Sequence, residues 1–340
     1  MASVGAGYKL AASGRGRLLA LLSLLVVLAF VASLAIGPAA LSPGRMLAAL
    51  AGHGDPVASA ILFELRLPRA LLGLLVGGVL GLGGAALQGY LRNPLAEPGV
   101  LGTSNAAALG AVAALYFGWA QASPILLPLL AIAGALGSLV LLALLAGRAE
   151  SPLTLILAGI AVATVAGAGI SLALNLSPNP FAAMEVMSWL MGSLDNRSFA
   201  HVWLALPCIV VGAALLLWDG RALDALTLGE EGALALGADL RRTRVRLLLG
   251  VGVGVGGAVA VSGAIGFVGL IVPHLLRPFT DRTPSAVLLP SALGGAALLL
   301  LADVAVRLIP TTNELKLGVV TAFLGVPVFL VYLLRERRIW

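Results

Sequence analysis

Ten long apolar runs divide this chain of 340 residues, and they constrain its fold more than any other feature. Hydrophobic residues make up 60% of the chain and charged residues 11%, with a mean hydropathy of +1.06. A water-soluble globule could not bury so much apolar surface, so the composition predicts an all-α polytopic membrane protein. We place the spans at 18–37, 68–91, 98–117, 124–147, 152–174, 201–218, 246–262, 263–276, 286–307 and 316–334.

The number of spans depends on residues 247–276, which contain no charged side chain apart from the titratable His274. A single helix of this length, at about 1.5 Å per residue, would exceed one bilayer crossing. Gly263, Gly266 and Gly269, with Pro273 after them, indicate a bend into a second, shorter span. Nine or eleven spans remain alternatives.

Lys and Arg residues predict the orientation. With the N-terminus inside, 15 of the 21 basic residues fall on the cytoplasmic side, so we expect both termini to be cytoplasmic. The net charge of +6 then reflects orientation and does not indicate a nucleic-acid partner. A cleaved signal peptide is an alternative for the first run, but Leu18–Ile36 is long for one, and we expect an uncleaved span. The outer residues are Arg45, Arg66, Arg69, Arg197, Arg307 and Lys316.

Small residues predict how the helices pack, because they let backbones approach closely within lipid. Gly73, Gly77 and Gly81, spaced four residues apart on one helix face, form a ladder of such residues. Gly252, Gly254 and Gly257 fit the G-x-G-x-x-G pattern, but no strand precedes them, so helix packing is the better interpretation. The single cysteine, Cys208, cannot form an intrachain disulfide and is expected in the core.

The chain lacks the residues that its own catalysis would need. Its only lysines, Lys9 and Lys316, follow Tyr8 and Leu315, so no Walker A motif exists and ATP hydrolysis would require another subunit. His53, His201 and His274 are scattered, which predicts neither a metal site nor a catalytic residue. We therefore expect no cofactor in this chain.

Two further features have a structural and a functional interpretation. Asp303 and Arg307 lie four residues apart on one helix face, and can pair there or serve transport. The polar segment 219–246 is either a solvated loop or a contact surface for a soluble partner. Within it, residues 228–236 are predicted to form a short helix that ends at Gly237.

Several motifs follow one another in a fixed order over about 270 residues. They resemble those of the permease subunits of bacterial ABC importers for cobalamin, haem and ferric siderophores, the FecCD family. The motifs are RLPR at 66–69, Gln88 with RNPLAEPGVLGTSN at 92–105, LILAG at 155–159, SWLMGS at 188–193, LTLGEEGALALG at 226–237, SGAIGFVGLIVPHLLR at 262–277, LLADVAVR at 300–307 and NELKLGVVTAFLGVPVFL at 313–330.

This resemblance implies a single permease domain over residues 1–340, working as a homodimer in the bacterial inner membrane. Its partners would be the lipid bilayer, a periplasmic substrate-binding protein and two ATPase subunits that hold ATP and Mg²⁺. Arg66, Arg69 and Arg307 would dock the binding protein, although each could instead be a snorkelling arginine. Asn93, Pro94 and Leu95 would form the cytoplasmic gate. A coupling helix would comprise Leu228, Gly229, Glu230, Glu231, Ala233, Leu236 and Gly237.

Two departures from the family pattern affect this assignment. Lys316 stands where relatives commonly have proline, which puts the local outer loop in doubt, and Pro152 weakens any gate on the fifth span. The cargo stays open among a siderophore, haem and cobalamin. An ion-coupled secondary transporter is the alternative function, and it would need acids near the middle of the spans.

Overall fold

The computed structural model describes residues 2–39, 41–53, 55–146, 152–311 and 314–336. Within these ranges the chain forms helices and loops and no strand, which confirms the all-α prediction. Arg148, Arg337 and Arg338, counted above as cytoplasmic charges, lie outside the described residues. The apolar helices are α1 (Ala2–Ala35), α2 (Leu67–Leu91), α3 (Thr103–Tyr116), α4 (Leu126–Ala146), α5 (Pro152–Asn175), α6 (Phe199–Trp218), α7 (Leu240–Ser262), α8 (Val268–Leu276), α9 (Pro284–Leu308) and α10 (Leu317–Glu336).

Each of these helices corresponds to one predicted run. Seven helical stretches in the described residues are long and apolar enough to cross a membrane, and they include α1, α2, α4, α5, α6, α7 and α9. The other three are shorter: α3 has 14 residues, α8 has 9, and the apolar stretch of α10 is Leu317–Val331. Ten spans is therefore an approximate count.

Short helices lie at both ends of the bundle. At the end where α2 begins, Ser42, Asp55 and Asn179 each cap a helix by accepting a backbone N–H, and a proline follows each cap. The helices at this end are Pro43–Leu50, Pro56–Ala60 with the π turn Ile61–Arg66, Trp119–Ala122 and Pro180–Leu190. At the opposite end, Gly220–Leu226 and Glu230–Ala235 connect α6 to α7.

Helix α2 is at the centre of the bundle, where it contacts α6, α7, α8 and α9. A Cβ atom at Gly77 would lie 2.3 Å from the Gly295 carbonyl oxygen, and one at Gly81 would lie 2.1 Å from that of Ser291. Only glycine allows this approach, so the predicted ladder is confirmed as the contact between α2 and α9.

The glycines of α7 also pack helices, as predicted. Cβ atoms at Gly252, Gly254 and Gly257 would meet Leu139 of α4, Gly212 of α6 and the Cys208 side chain. Cys208 itself is only partly buried. The G-x-G-x-x-G pattern therefore belongs to a helix interface and to no nucleotide site.

The predicted bend after residue 262 is confirmed. Helix α7 ends at Ser262, and Gly263 follows with a φ of 71°. Helix α8 begins only at Val268, after Phe267 in the left-handed region with a φ of 67°. Pro273 lies within α8, where it removes one backbone N–H from the helix.

A second segment without α-helix connects α2 to α3, and it contains the 3₁₀ turn Pro98–Leu101. Pro98 lies beside Gly83, eight residues before the end of α2 and so about 12 Å back along that helix. Val100 contacts Gly159 of α5. Residues 93–102 therefore return into the bundle, and α3 is short because it begins at that depth.

Candidate functional site

Arg66 and Arg307 bind the carboxyl end of α1. Arg66 donates to the carbonyl oxygens of Leu34, Ala35 and Ala39 at 2.6–2.8 Å. Arg307 donates to those of Ser33 and Ile36 at 2.9 and 2.6 Å, and to the Ser33 hydroxyl. The last carbonyls of a helix lack intrahelical partners and carry partial negative charge. The two guanidinium groups satisfy these carbonyls and fix α1 against α2 and α9.

Arg69 and Asp303 form the centre of a buried charge cluster. Arg69 Nη2 lies 2.8 Å from Asp303 Oδ1, and the same guanidinium binds Glu314 and lies 3.6 Å from Asp195. Arg307 Nη2 lies 2.8 Å from the other Asp303 oxygen, which confirms the predicted pair along the helix. Asp303 is 1% exposed, and pairing with the two guanidinium groups offsets the free-energy cost of burying its charge.

The burial of these arginines bears on their predicted docking role. Arg66 and Arg69 are 5% and 8% exposed, and the Arg307 side chain is 1% exposed. Their guanidinium groups are bound by acceptors within the chain, which favours a structural role for each of them. Docking of a binding protein by these residues stays a prediction.

The outer rim has a more exposed ion pair. Arg45 Nε donates to Asp55 at 3.1 Å and joins two short helices, with both side chains close to half exposed. The Ala58 backbone N–H, followed by Arg45, lowers the pKa of the Asp55 carboxyl. This pair lies in water and contributes little stability.

The predicted gate residues form a turn at the end of α2. Arg92 adopts a left-handed conformation with a φ of 49°, and the Asn93 side chain accepts the Leu95 N–H at 2.9 Å. Sequence reasoning expected Asn-Pro to end one helix and start the next. It does end α2, but the following helix, α3, begins only at Thr103, because the chain first returns into the bundle.

Glu97 connects the segment 93–102 to the link between α7 and α8. It was not predicted as a site residue. Its carboxylate accepts the Phe267 N–H at 3.3 Å, at the amino end of α8. A negative charge is favoured there by the helix dipole. The available signal was an acid in an otherwise apolar stretch next to Pro98.

Two polar anchors hold the segment 219–246. Asp219 binds Arg246 through two hydrogen bonds of 2.7 Å, which connects the end of α6 to the start of α7. Asp224 accepts the Ser285 N–H at 2.8 Å and the Ser285 hydroxyl at 2.6 Å, which connects the segment to α9. Sequence reasoning missed both anchors, because their partners are 27 and 61 residues away.

The short helix predicted at 228–236 is present as Glu230–Ala235, and its coupling role stays a prediction. Glu230 and Glu231 lie in its first turn, and Gly237 follows it with a φ of 81°, as a helix stop requires. Leu228 and Leu236 are 69% and 66% exposed.

One residue of the predicted coupling set does not face outwards. Ala233 is fully buried and packs into the hydrophobic core, so no partner can touch it without unfolding the segment. Its packing anchors the short helix Glu230–Ala235 to the core. The exposed Leu234, at 54%, was not predicted and extends the apolar surface of Leu228 and Leu236.

Helix α5 has an exposed face of small and polar side chains. Thr164 donates its hydroxyl to the Ile160 carbonyl at 2.8 Å, within its own helix. Spacings of three and four residues put the whole set on one side of the helix. The residues of this stripe are Leu157, Ala161, Thr164, Ala168, Ser171 and Asn175. Large apolar side chains flank it, since Ile160, Val165 and Leu172 are also exposed.

No group of three or more His, Cys, Asp or Glu side chains in the described ranges could hold a metal ion. Buried carboxylates such as Asp303 are instead bound by arginines. These ion pairs hold neighbouring helices in place.

Comparison with known proteins shows the family of this chain. The FecCD transport family matches residues 24–335. The vitamin B12 import system permease protein BtuC of Salmonella paratyphi A is 42% identical over 321 residues, which covers 93% of this chain and 94% of BtuC. The uncharacterized ABC transporter permease protein YvrB of Bacillus subtilis is 39% identical over 294 residues, with 84% and 82% covered.

A solved structure shows the same fold. It is an inward-facing conformation of a metal-chelate type ABC transporter, and the two chains superpose with a TM-score of 0.85 at 32% identity. The alignment covers 94% of this chain and 99% of the other.

Proposed function

Because this chain belongs to the FecCD transport family and is the permease subunit of an ABC importer, we propose that two copies form its channel and that a separate ATPase powers it. Each ATPase subunit would supply the ATP and Mg²⁺ sites that this chain lacks. A substrate-binding protein would deliver the cargo on the periplasmic side of the bacterial inner membrane. Nucleotide-driven movement would then open the channel alternately to each side.

The single observation that supports an ATPase partner most directly is the leucine surface of Leu228, Leu234 and Leu236. These side chains are more than half exposed at the end of the bundle where the basic residues predict cytoplasm. Asp219 and Asp224 fix the base of the segment, so a force applied to its leucines would reach α7 and α9. A rigidly held apolar surface of this kind is typical of a protein contact.

The exposed face of α5 supports a homodimer with a pathway between the copies. Lipid would favour large apolar side chains along such a face, whereas Ala161, Thr164 and Ser171 are small or polar. Helix α10 exposes Phe323 at 77%, which a second copy would cover. At the inner end, Asn93, Pro94 and Leu95 would close the pathway.

Docking of the binding protein would use the outer face. Arg69 is bound by Glu314 and Asp195, whose side chains are 22% and 40% exposed and so lie at the edge of the cluster. We propose that an acidic side chain of the binding protein replaces one of them at Arg69. Exchange of one carboxylate for another keeps the buried cation paired.

The cargo class follows from the relatives. BtuC is named for vitamin B12 import and the matching structure for metal-chelate transport. We propose a cobalamin, haem or ferric siderophore as cargo. Binding assays of the cognate periplasmic protein against cyanocobalamin, haemin and ferric hydroxamates test this choice, and retention of none of them would contradict it.

The partner contact is tested with Leu228→Ser and Leu236→Ser in the full chain co-expressed with its genetically adjacent ATPase. We expect the ATPase to be lost during purification, because each serine removes an apolar contact at the surface centre. Val57→Ser is the matched control, since Val57 is 62% exposed at the opposite end of the bundle. If the ATPase stays bound to both leucine variants, the leucine surface is not the contact.

A further inference from the structure

Gln88 lies where α2 meets α8 and the gate turn, which is the turn formed by Asn93, Pro94 and Leu95. It is 2% exposed, and its side-chain Nε2 lies 3.3 Å from the carbonyl oxygens of both Gly269 and Leu270. Its Oε1 accepts a hydrogen bond of 3.0 Å from Arg277, just after α8. A single buried amide therefore contacts the beginning of α8 and the residue that follows its end.

Pro273 explains why Gln88 is needed there. In a regular helix the N–H of residue 273 would donate to the carbonyl of residue 269, but proline has no N–H. The Gly269 carbonyl is thus left without its intrahelical partner, and a buried carbonyl without a donor is costly. Gln88 supplies the donor from another helix. The approach is possible because Gly84 has no side chain: its Cβ would lie 1.9 Å from the Gly269 oxygen.

The backbone of Gln88 holds the gate turn at the same time. Its carbonyl oxygen accepts the N–H groups of both Arg92 and Asn93. Pro94 and Leu95 line a small void together with Leu270 and Ile271, so the gate turn rests on the α8 surface. Glu97 also binds the amino end of α8 through the Phe267 N–H. Three contacts therefore link the chain around the gate turn to α8: the Gln88 side chain, the packing of Pro94 and Leu95, and the Glu97 carboxylate.

Helix α8 is also connected to the segment that we propose to bind the ATPase. The chain leaves α8 at Arg277 and enters α9 at Pro284, and Asp224 binds the next residue, Ser285. Movement of the segment 219–246 can therefore pull on the α9 end of the link between α8 and α9, at Ser285.

We propose that Gln88 is a positioning residue that joins the gate turn to the proline-interrupted α8, so that displacement of α8 moves Asn93, Pro94 and Leu95. The proposal rests on the importer function above. Its structural half, the compensation of Pro273 by Gln88, is independent of that function. The two halves are tested separately.

The structural half is tested by a double-mutant cycle on the purified full-length chain in detergent. Gln88→Leu keeps the side-chain size but removes the donor, and we expect it to lower the unfolding midpoint. Pro273→Ala restores an N–H for Gly269, so the same substitution should cost less in that background. An equal loss in both backgrounds would overturn the compensation. This measurement needs neither ATPase nor cargo.

The functional half is tested by spin-label distances in the assembled complex, with Arg92→Cys as the labelled site and Cys208→Ser removing the native thiol. In the parent complex we expect the distance between the two labels to change on trapping with ATP and vanadate. With Gln88→Leu we expect that change to be lost while ATP hydrolysis continues. Ser138→Ala, at a buried polar residue of α4 that is 1% exposed, is the control and should keep the change.

The outcomes separate the two proposals. A parent complex that neither assembles with the ATPase nor hydrolyses ATP would refute the importer function and leave the unfolding cycle informative. A parent complex that moves, together with a Gln88→Leu complex that moves equally, would refute the positioning role of Gln88.

Discussion

Asp303 is a carboxylate inside an apolar helix, and its surroundings decide its role. Arg69 and Arg307 bind its two oxygens, and Arg307 also holds the end of α1. An acid bound by two arginines is poorly suited to carry protons or ions, because releasing it would leave buried cations unpaired. The structural interpretation of Asp303 is therefore the better one.

Replacement of Asp303 by asparagine should destabilise the protein strongly. Asparagine has the same shape but no charge, so Arg307 would lose the carboxylate that it binds, whereas Arg69 would keep Glu314. Breaking a buried pair costs about 3–5 kcal/mol. Reversible unfolding in mixed detergent micelles measures this loss.

Asp55→Asn is the matched control for that experiment. It makes the same chemical change in an ion pair whose side chains are 51% and 43% exposed. Exposed pairs contribute about 0.2–1 kcal/mol. If both variants lost equal stability, the buried ion pairs of Asp303 would contribute no more to stability than the exposed pair of Asp55.

At the scale of elements, close approach between helices is the dominant packing device. Gly81 of α2 and Ser291 of α9 are in backbone contact. A Cβ atom at Gly78, one turn earlier, would lie 3.6 Å from the Ala292 carbonyl oxygen, which is an ordinary van der Waals contact. The sequence predicted the ladder from the spacing of its glycines. It could not predict which glycines face backbone, because the partner helix is more than 200 residues away along the chain.

Gly81→Ala should destabilise the bundle, because the new methyl group would lie 2.1 Å from the Ser291 oxygen and force α2 from α9. We expect a loss of about 1–3 kcal/mol, as overpacking typically costs. Gly78→Ala is the control on the same helix, and should be neutral or gain up to about 1 kcal/mol from helix propensity. Thermal unfolding of both variants measures the difference, and equal midpoints would contradict the contact.

The short helix Glu230–Ala235 shows the same division between what local sequence and what packing determines. Its existence, its acidic first turn and its glycine stop followed from composition. The burial of Ala233 beside the exposed Leu234 did not, because only packing against the core determines which face of a six-residue helix points inwards. The leucine surface is thus a result of tertiary structure.

For the whole molecule, the proposed pathway between two copies makes a labelling prediction. Ser171 lies on the exposed small and polar face of α5, whereas Leu129 of α4 is 47% exposed on an apolar helix. In a Cys208→Ser background, we expect Ser171→Cys to react faster with a charged, water-soluble methanethiosulfonate than Leu129→Cys. Thiolates form and react only where water reaches them.

Labelling is measured in the assembled complex in proteoliposomes, with and without ATP. A rate at Ser171→Cys that matches the rate at Leu129→Cys in both conditions would show that the α5 face meets lipid. Faster labelling that depends on ATP would instead support alternating access along α5.

The sequence by itself determined the membrane class, the approximate number of spans, the family motifs and the short α8. These features depend on hydropathy and on helix-breaking Gly and Pro residues, which are local properties of the chain. Tertiary structure alone decided the partners. Arg69 and Asp303 are 234 residues apart, and Gln88 reaches Gly269 across 181 residues. Such contacts depend on how helices pack and on which backbone groups a proline leaves unpaired, and no local pattern encodes that choice.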